Sequence, residues 1–275
     1  MEEQKLELLR GNARTIRKWV IEMIAHLGVG HIGASLSCVD VLTVLYFDAM
    51  RVDPERPRWV DRDHFILSKG HGGPGLYATL ALRGYFPKEM LMTLNRPDTN
   101  LPSHCDMRLT PGIDQTTGSL GQGISCAVGH ALAARVLGKD YRVYSMVGDG
   151  ELQEGQVWEA LMLAGAQRLA NFVCIVDQNG LQVGGNVRDV VDVEPLADKL
   201  RAFQFHVLEV DGHDVGAIAH ALALAKAHVD GPTCLIAHTI KGKGYAPAQG
   251  QRHCHLIPVS EADCLAACAY IDAQG

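Results

Sequence analysis

Asp149 and Asn179, thirty residues apart, are the two side chains in this sequence best suited to share one metal ion. Asp149 sits in Gly148-Asp149-Gly150, directly after the apolar run YRVYSMV (141–147), and Asn179 sits in Gln178-Asn179-Gly180, directly after FVCIVD (172–177). Each run reads as a short strand broken by a polar turn. Neighbouring strands lie about 4.8 Å apart, so two such ends at one sheet edge can offer a carboxylate and an amide oxygen to a single hard cation, Mg²⁺ or Ca²⁺. A backbone carbonyl and the oxygens of a diphosphate would complete its shell. Gly148 and Gly150 bare the backbone where a diphosphate would approach, and the helix expected from Gln156 to Leu169 offers free N–H groups at its start. Gly-Asp-Gly or Asn-Gly alone is ordinary turn punctuation. Two such breaks at the ends of consecutive strands favour a ligand site. A dinucleotide-binding turn fits poorly, because its pattern requires glycine at position 153 and the chain has Gln153.

Three histidines lie in stretches of similar character. His31 stands between Gly30 and Ile32-Gly33, and His71 follows Ser68-Lys69-Gly70 at a third break from strand to glycine. A helix from about Pro74 to Arg83 comes next, with proline in its first turn, so His71 is expected at an anion-attracting helix start. His104 falls in the aperiodic run from Arg96 to Asp114, and loops of that length inside a compact domain tend to be functional. Imidazoles suit proton transfer and hydroxyl recognition near neutral pH. The stretch Thr116-Thr117-Gly118-Ser119-Leu120-Gly121-Gln122-Gly123 opens a small-residue helix reaching Leu137; without a Gly-Lys-Ser/Thr sequence it is not a P-loop. Lys241 and Lys243, between Gly242 and Gly244, read equally well as solvated charge or as a lid over an anion.

The elements that must position these groups are legible as periodicity. Leu6, Leu9, Ala13, Ile16, Val20, Met23, Ile24 and Leu27 recur at helical spacing and predict one long amphipathic helix over 4–27, stopping at Gly28. Ser35 or Ser37 is expected to cap a second helix running to about Met50. His64–Leu67, 205–210 and 232–239 read as strands, 87–95 and 214–229 as helices, Glu194-Pro195 as the start of a short helix, and 186–193 as a mixed loop. This alternation predicts an α/β fold with a mostly parallel sheet and helices on both faces. With no internal repeat and no low-complexity linker, residues 1–275 read as one domain.

Composition narrows the function classes. Hydrophobic residues make up 47% of the chain, ample for a buried core, while a net charge of -6 without a long basic run argues against nucleic acid as a partner. Apolar segments are too short and too interrupted by glycine to span a membrane, and the charged start MEEQKLELLR is helical in character rather than a signal peptide, so a cytoplasmic protein is expected. Of the 8 cysteines, Cys38, Cys105, Cys126, Cys174 and Cys234 are scattered, and all of these but Cys105 sit in apolar helix or strand contexts. The tail, with His253-Cys254-His255 and then Cys264 and Cys268, has spacing that could hold zinc, but Cys264, Leu265 and Cys268 fit the apolar side of a short helix and packing is favoured.

Taken together, GHIGASLS (30–37), LSKGH (67–71), TTGSLGQG (116–123), GDGELQEGQVWEA (148–160), DQNGLQ (177–182), VDGHD (210–214) and HTIKGKG (238–244) resemble, in order and over nearly the whole chain, the N-terminal half of transketolase. The similarity is greatest to the form split into two subunits, of which this chain would be the N-terminal one. The resemblance implies thiamine diphosphate held with a divalent cation by Asp149, Asn179 and the carbonyl of Leu181. It implies that Gly150 meets the diphosphate, that Glu151 is among the cofactor-binding residues, that His71, Gly118, Ser119 and Leu120 approach the cofactor, and that His31 and His104 face the sugar. Glu154 resembles a family glutamate between paired active sites, and a further cofactor-side histidine is expected at His253 or, preferably, His255.

In that family a ketose is cleaved at a C–C bond and a two-carbon unit passes to an aldose. The sequence departs from the usual Gly-His-Pro at Ser103-His104-Cys105, where loop shape and acceptor choice are expected to differ. The half that binds the pyrimidine and carries the activating glutamate is not matched here. A C-terminal transketolase subunit is therefore expected as partner, in an α2β2 assembly acting on sugars or sugar phosphates. Two alternatives stay open: the α chain of a 2-oxo acid dehydrogenase, and a non-catalytic binding protein that kept the fold.

Overall fold

The computed structural model describes residues 3–274. Five strands form its central sheet: β1 (His64–Leu67), β2 (Val143–Gly148), β3 (Phe172–Gln178), β4 (His206–Asp211) and β5 (Thr233–His238). Their order is β1-β2-β3-β5-β4 and every pairing is parallel. All strands therefore end on one edge, which collects the turns singled out in the sequence.

Side chains alternate across the sheet with the two-residue period of a strand. Phe65, Leu67, Tyr144, Met146, Val173, Ile175, Leu235 and Ala237 pack on one face. Ile66, Val143, Val147, Cys174, Val176, Cys234 and Ile236 pack on the other. Buried on both faces, the central strands read as continuous apolar runs, as parallel sheets require.

The first face is covered by α1 (Glu3–Leu27), α2 (Ile32–Ser37), α3 (Val39–Val44), α4 (Gly73–Arg83), α8 (Val215–Ala227) and α9 (Glu261–Ala273). The second carries α5 (Gln122–Val136), α6 (Gly155–Ala166) and α7 (Leu196–Ala202). The helical stripe read in α1 is its buried face, with Leu9, Ala13, Ile16, Val20, Met23 and Ile24 all enclosed. Each large apolar side chain of that stripe contributes roughly 1.5–3 kcal/mol on burial. Gly28 ends the helix at φ +94, a conformation costly for any residue with a Cβ.

Several boundaries differ from the sequence expectation. The second helix begins at Ile32, breaks at Cys38 and closes in a π-helical turn over Leu45–Ala49. Ser35 and Ser37 are inside it rather than capping it: Ser35 Oγ donates to the His31 carbonyl, and Ser37 Oγ donates to Asp177 Oδ2 at 2.6 Å. Lys88–Thr93 is a 3₁₀ helix. Thr116–Gly121 stays a loop, and α5 starts only at Gln122, after Gly121 has turned the chain at φ +81. The run expected as a mixed loop holds a one-turn helix, Val187–Val190, preceded by a two-residue hairpin, Leu181–Gln182 against Gly185–Asn186.

The tail folds back onto the molecule. Val29–Gly30 pairs antiparallel with Ile257–Pro258, which sets His255 beside the loop of His31. Cys264 is buried in the core and Cys268 packs against it. Among the described residues no helix is long and apolar enough to cross a membrane.

Candidate active site

The register of β2 and β3 pairs Gly148 with Asp177, so the residues that follow each strand stand side by side. Asp149 Oδ1 accepts from the Gly150 N–H at 2.9 Å, while Oδ2 accepts from the Gly180 N–H. Asn179 is oriented at both ends of its amide: Oδ1 accepts from the Leu181 N–H at 3.1 Å, and Nδ2 donates to Asp177 Oδ2 at 3.2 Å. The Leu181 carbonyl takes a hydrogen bond from Lys241 Nζ at 3.0 Å. One carboxylate, one amide oxygen and one main-chain carbonyl thus gather at the ends of two adjacent strands.

Beneath them lies an ion pair that sequence reading missed. Lys69, 1% exposed, pairs with Asp177, also 1% exposed. Lys69 Nζ also donates to the Ala34 carbonyl at 3.0 Å, and Asp177 further accepts from Ser37 and Thr239. Burial opposes the charge on both partners, but their mutual attraction outweighs it, raising the Lys69 pKa and lowering that of Asp177. Burial together with the negative charge of Asp177 pushes the Asp149 carboxyl up to about 6. A bound cation would relieve that penalty.

The four histidines converge on the same edge. The His31 ring lies 5.6 Å from His71, 5.7 Å from His104 and 5.1 Å from His255, centroid to centroid, and His71 and His255 are 4.9 Å apart. Burial favours the neutral form of His31, His71 and His255, helped by neighbouring positive groups. His71 is depressed to about 2 and His255 to about 4, and His31 is also lowered, by burial and by the nearby His104 and Lys241. Neutral imidazoles can both donate and accept hydrogen bonds at pH 7. His253 is exposed, so the tail histidine of this cluster is His255.

The loop of His104 is fixed on two sides. Tyr77 Oη donates to the Pro102 carbonyl at 2.9 Å and the Thr117 N–H donates to the Cys105 carbonyl at 3.0 Å. The His104 ring lies over Gly118, where an added Cβ would meet its atoms at 3.6 Å. Gly70 allows the turn of His71 to lie against the same loop, since a Cβ there would come within 2.9 Å of the Gly118 nitrogen.

A cavity of about 230 Å³ connects these parts, lined by Lys69, His71, Leu120, Asp149, Asn179 and Lys241 among others. Gln182 Oε1 and His255 Nδ1, from two residues of its wall, are buried without a partner among the described residues. Such atoms mark a place for a polar ligand. With two lysines, an oxygen donor set for a hard cation and orphaned polar atoms, the residues present fit a diphosphate cofactor and its metal. A larger cavity of about 460 Å³ shares Asp149 and Asn179 as a wall but lacks His71 and His255, the two histidines that line the smaller one.

Other expected site residues take different places. Gly150 lines the cavity and faces Gln182, where a Cβ would approach Gln182 Cβ to 2.9 Å. Ser119 is exposed on its loop and its carbonyl accepts from the Gln122 N–H. Glu154 is exposed at the rim of the cavity, immediately before α6. Glu151 is in the wall of the cavity but is only 2% exposed, and its carboxylate accepts hydrogen bonds from Ser68, Gly121 and Gly148. Its oxygens are engaged by protein donors, and a carboxylate would in any case repel a diphosphate. Lys241 resolves the ambiguity of the Lys-Gly-Lys-Gly stretch, because it is buried in the cavity wall with its charge disfavoured by burial. His213, in the VDGHD motif, lies outside the cavity and braces the same stretch. Its Nδ1 meets Asp40 Oδ2 at 2.7 Å and its Nε2 accepts from the Ile240 N–H.

Fold and site together define an α/β protein suited to hold a diphosphate and a hard cation at the carboxyl edge of a parallel sheet, under a canopy of histidines. The chain belongs to the transketolase family: residues 10–270 match the family described as transketolase, thiamine diphosphate binding domain. It is 49% identical over 275 residues, 100% of both chains, to the 6-deoxy-6-sulfo-D-fructose transketolase subunit SqwG of Clostridium sp. (strain MSTE9). It is 38% identical over 258 residues, 94% of this chain and 92% of the relative, to an apulose-4-phosphate transketolase subunit of Phocaeicola vulgatus. The solved transketolase of Leishmania mexicana superposes with a TM-score of 0.91 at 33% identity, covering 97% of this chain and 41% of that one. The chain therefore spans about two fifths of that solved enzyme and corresponds to its thiamine diphosphate-binding part. The matches to transketolase subunits do not favour a 2-oxo acid dehydrogenase chain.

Proposed function

We propose that this chain is the cofactor-gripping subunit of a two-chain transketolase, working in the cytoplasm with a C-terminal companion in an α2β2 assembly. The observation that carries the reading is the cluster of His31, His71, His104 and His255, two of which, His71 and His255, line the cavity formed with Asp149, Asn179 and Lys241.

In this reading Asp149, Asn179 and the Leu181 carbonyl hold Mg²⁺ or Ca²⁺, and Lys69 and Lys241 offset the diphosphate charge. Bound thiamine diphosphate supplies the nucleophilic carbon and the electron sink for cleaving a ketose next to its carbonyl. His255, whose Nδ1 has no partner among the described residues, and His71 face the reacting end, where neutral rings can hold a proton at a ring nitrogen or pass it to a sugar hydroxyl. His31 and His104 orient the substrate hydroxyls from the far side of the cluster. The companion supplies the carboxylate that activates the cofactor and closes the cavity against water.

The names of two relatives support a substrate class for this proposal. One is named for a sulfonated ketose and another for a phosphorylated one. A ketose with an anionic terminus, sulfonate first, is the proposed donor.

The test is reconstitution. The purified chain is expected to be inactive alone and to transfer a two-carbon unit once its companion is added, with sulfonated or phosphorylated ketoses outperforming neutral ones. Full activity of the isolated chain, or a preference for 2-oxo acids in the pair, would overturn the reading.

A further inference from the structure

Glu151 is a buried residue in the wall of the cavity whose carboxylate oxygens are engaged by donors from three separate segments of chain. Oε1 accepts from Ser68 Oγ at 2.6 Å and from the Gly121 N–H at 2.9 Å, and Oε2 accepts from the Gly148 N–H at 3.1 Å. Ser68 in turn accepts from the Ile124 N–H at 3.0 Å, which adds the first turn of α5 to the network. Ser68 immediately precedes Lys69, Gly121 follows Leu120, and Gly148 precedes Asp149; all three of those neighbours line the cavity. The segments are also packed without slack. A Cβ at position 123 would lie 2.7 Å from the Ser68 Cα, and one at position 121 would lie 3.1 Å from Glu154 Cβ.

We propose that Glu151 is a positioning residue for the cofactor: it clamps the ends of β1 and β2 and the Thr116–Gly121 loop into one cradle without touching the ligand. The inference rests on the functional reading above for its ligand, and on the hydrogen bonds alone for the clamp. Three observations separate this role from ligand contact. The carboxylate is 2% exposed, both of its oxygens are taken by protein donors, and a further negative group facing a diphosphate and Asp149 would weaken binding. Burial raises the Glu151 pKa, and the three donors, two of them main-chain N–H groups, act against it by favouring the carboxylate.

Glutamine cannot replace it. A carboxamide presents one oxygen and one NH₂, so in either orientation a main-chain N–H, of Gly148 or of Gly121, faces another donor. The Ser68 hydroxyl can rotate to suit, but those N–H groups cannot. Aspartate is shorter by one methylene and cannot span the three donors at these distances.

The experiment has two arms. In hydrogen–deuterium exchange on the chain without cofactor, Glu151→Gln is expected to speed exchange of the Gly121, Gly148 and Ile124 amides at least tenfold while the amides of β3 keep their protection. Unchanged exchange at those three positions overturns the clamp, whatever the protein binds. In the assembly with its companion at saturating Mg²⁺, Glu151→Gln is expected to raise the thiamine diphosphate Kd at least tenfold, with kcat returning to the wild-type value at saturating cofactor. Ser68→Ala, which removes one donor and leaves the charge, is expected to give a smaller loss of two- to tenfold and serves if Glu151→Gln folds poorly. Wild-type cofactor affinity in both variants, or a kcat deficit that saturating cofactor does not restore, overturns the positioning role. Failure of the wild-type assembly to bind thiamine diphosphate would count against the functional reading, while the exchange arm still decides the clamp.

Discussion

The ammonium of Lys241 donates to the carbonyl of Leu181 at 3.0 Å, and both residues line the cavity whose wall also holds Lys69. That carbonyl already accepts a positive partner. In the proposed function a divalent ion would take that carbonyl, and the ammonium would remain in the same wall as a partner for diphosphate oxygens. Charge-assisted hydrogen bonds contribute about 1.5–3 kcal/mol, so Lys241→Met is expected to weaken thiamine diphosphate binding by about 10- to 100-fold. Lys243→Ala, two residues on and outside the cavity lining, is expected to change it little. Titration calorimetry on the reconstituted pair at saturating Mg²⁺ measures both, and equal affinities would remove the assignment.

Asp149 is the sole carboxylate among the three proposed metal-holding groups. Asp149→Ala is expected to abolish metal-dependent cofactor binding, and the variant should also lose the hydrogen bonds that hold Gly150 and Gly180. Calorimetry with and without a chelator checks this; retention of Mg²⁺-dependent binding would contradict it.

Acid should destabilise the chain through its histidines. His255 is depressed to about 4 and His71 to about 2, against an ordinary value of 6.5 that both regain on unfolding. The unfolded chain then binds more protons, so stability is complete above about pH 6.5 and falls as pH drops towards 4. Asp149, pushed up to about 6, acts in the opposite sense between its ordinary 3.8 and that value. Comparing wild type with His255→Gln isolates the histidine: the variant's melting temperature should fall less between about pH 7 and pH 5. An identical pH profile would place His255 in a solvated setting instead.

Gly165, in α6, lies against the turn after α7. A Cβ there would sit 1.9 Å from the Phe203 carbonyl oxygen, a main-chain atom that cannot swing aside. Gly165→Ala is expected to destabilise by about 2–3 kcal/mol, at the upper end of overpacking costs. At Gly129 in α5, where a Cβ would meet nothing within 4 Å, alanine should be neutral or stabilising by up to about 1 kcal/mol. Urea midpoints of the two variants test the contrast.

Features under local control could be read from the amino acids without coordinates. The apolar stripe of α1, the two-residue alternation of the strands and the polar breaks after them are set by side chains within a few residues of each other, so the α/β class and the edge carrying Asp149 and Asn179 were directly legible. His31, His71 and His104 were legible for a related reason, since each lies in a loop or glycine-flanked turn where no core role competes, whereas a tail histidine was expected only from the family resemblance.

How charges pair, and which of several equivalent residues turns inward, depended on long-range packing. Lys69 and Asp177 are 108 positions apart, and nothing local marks either as half of a buried ion pair. Lys241 and Lys243 both adjoin Gly242, and only the packing of β5 against β3 and the hairpin at Leu181 sends the first inward. Ser37 looked like a cap because serine commonly is one, yet the break at Cys38 turns its hydroxyl to Asp177. His255 was separated from His253 by the pairing of Ile257–Pro258 with Val29–Gly30, a contact across most of the chain. Glu151 is the clearest case. The resemblance implied a cofactor-side residue, and only the tertiary structure shows that its oxygens accept from Ser68 and Gly121, donors distant in sequence.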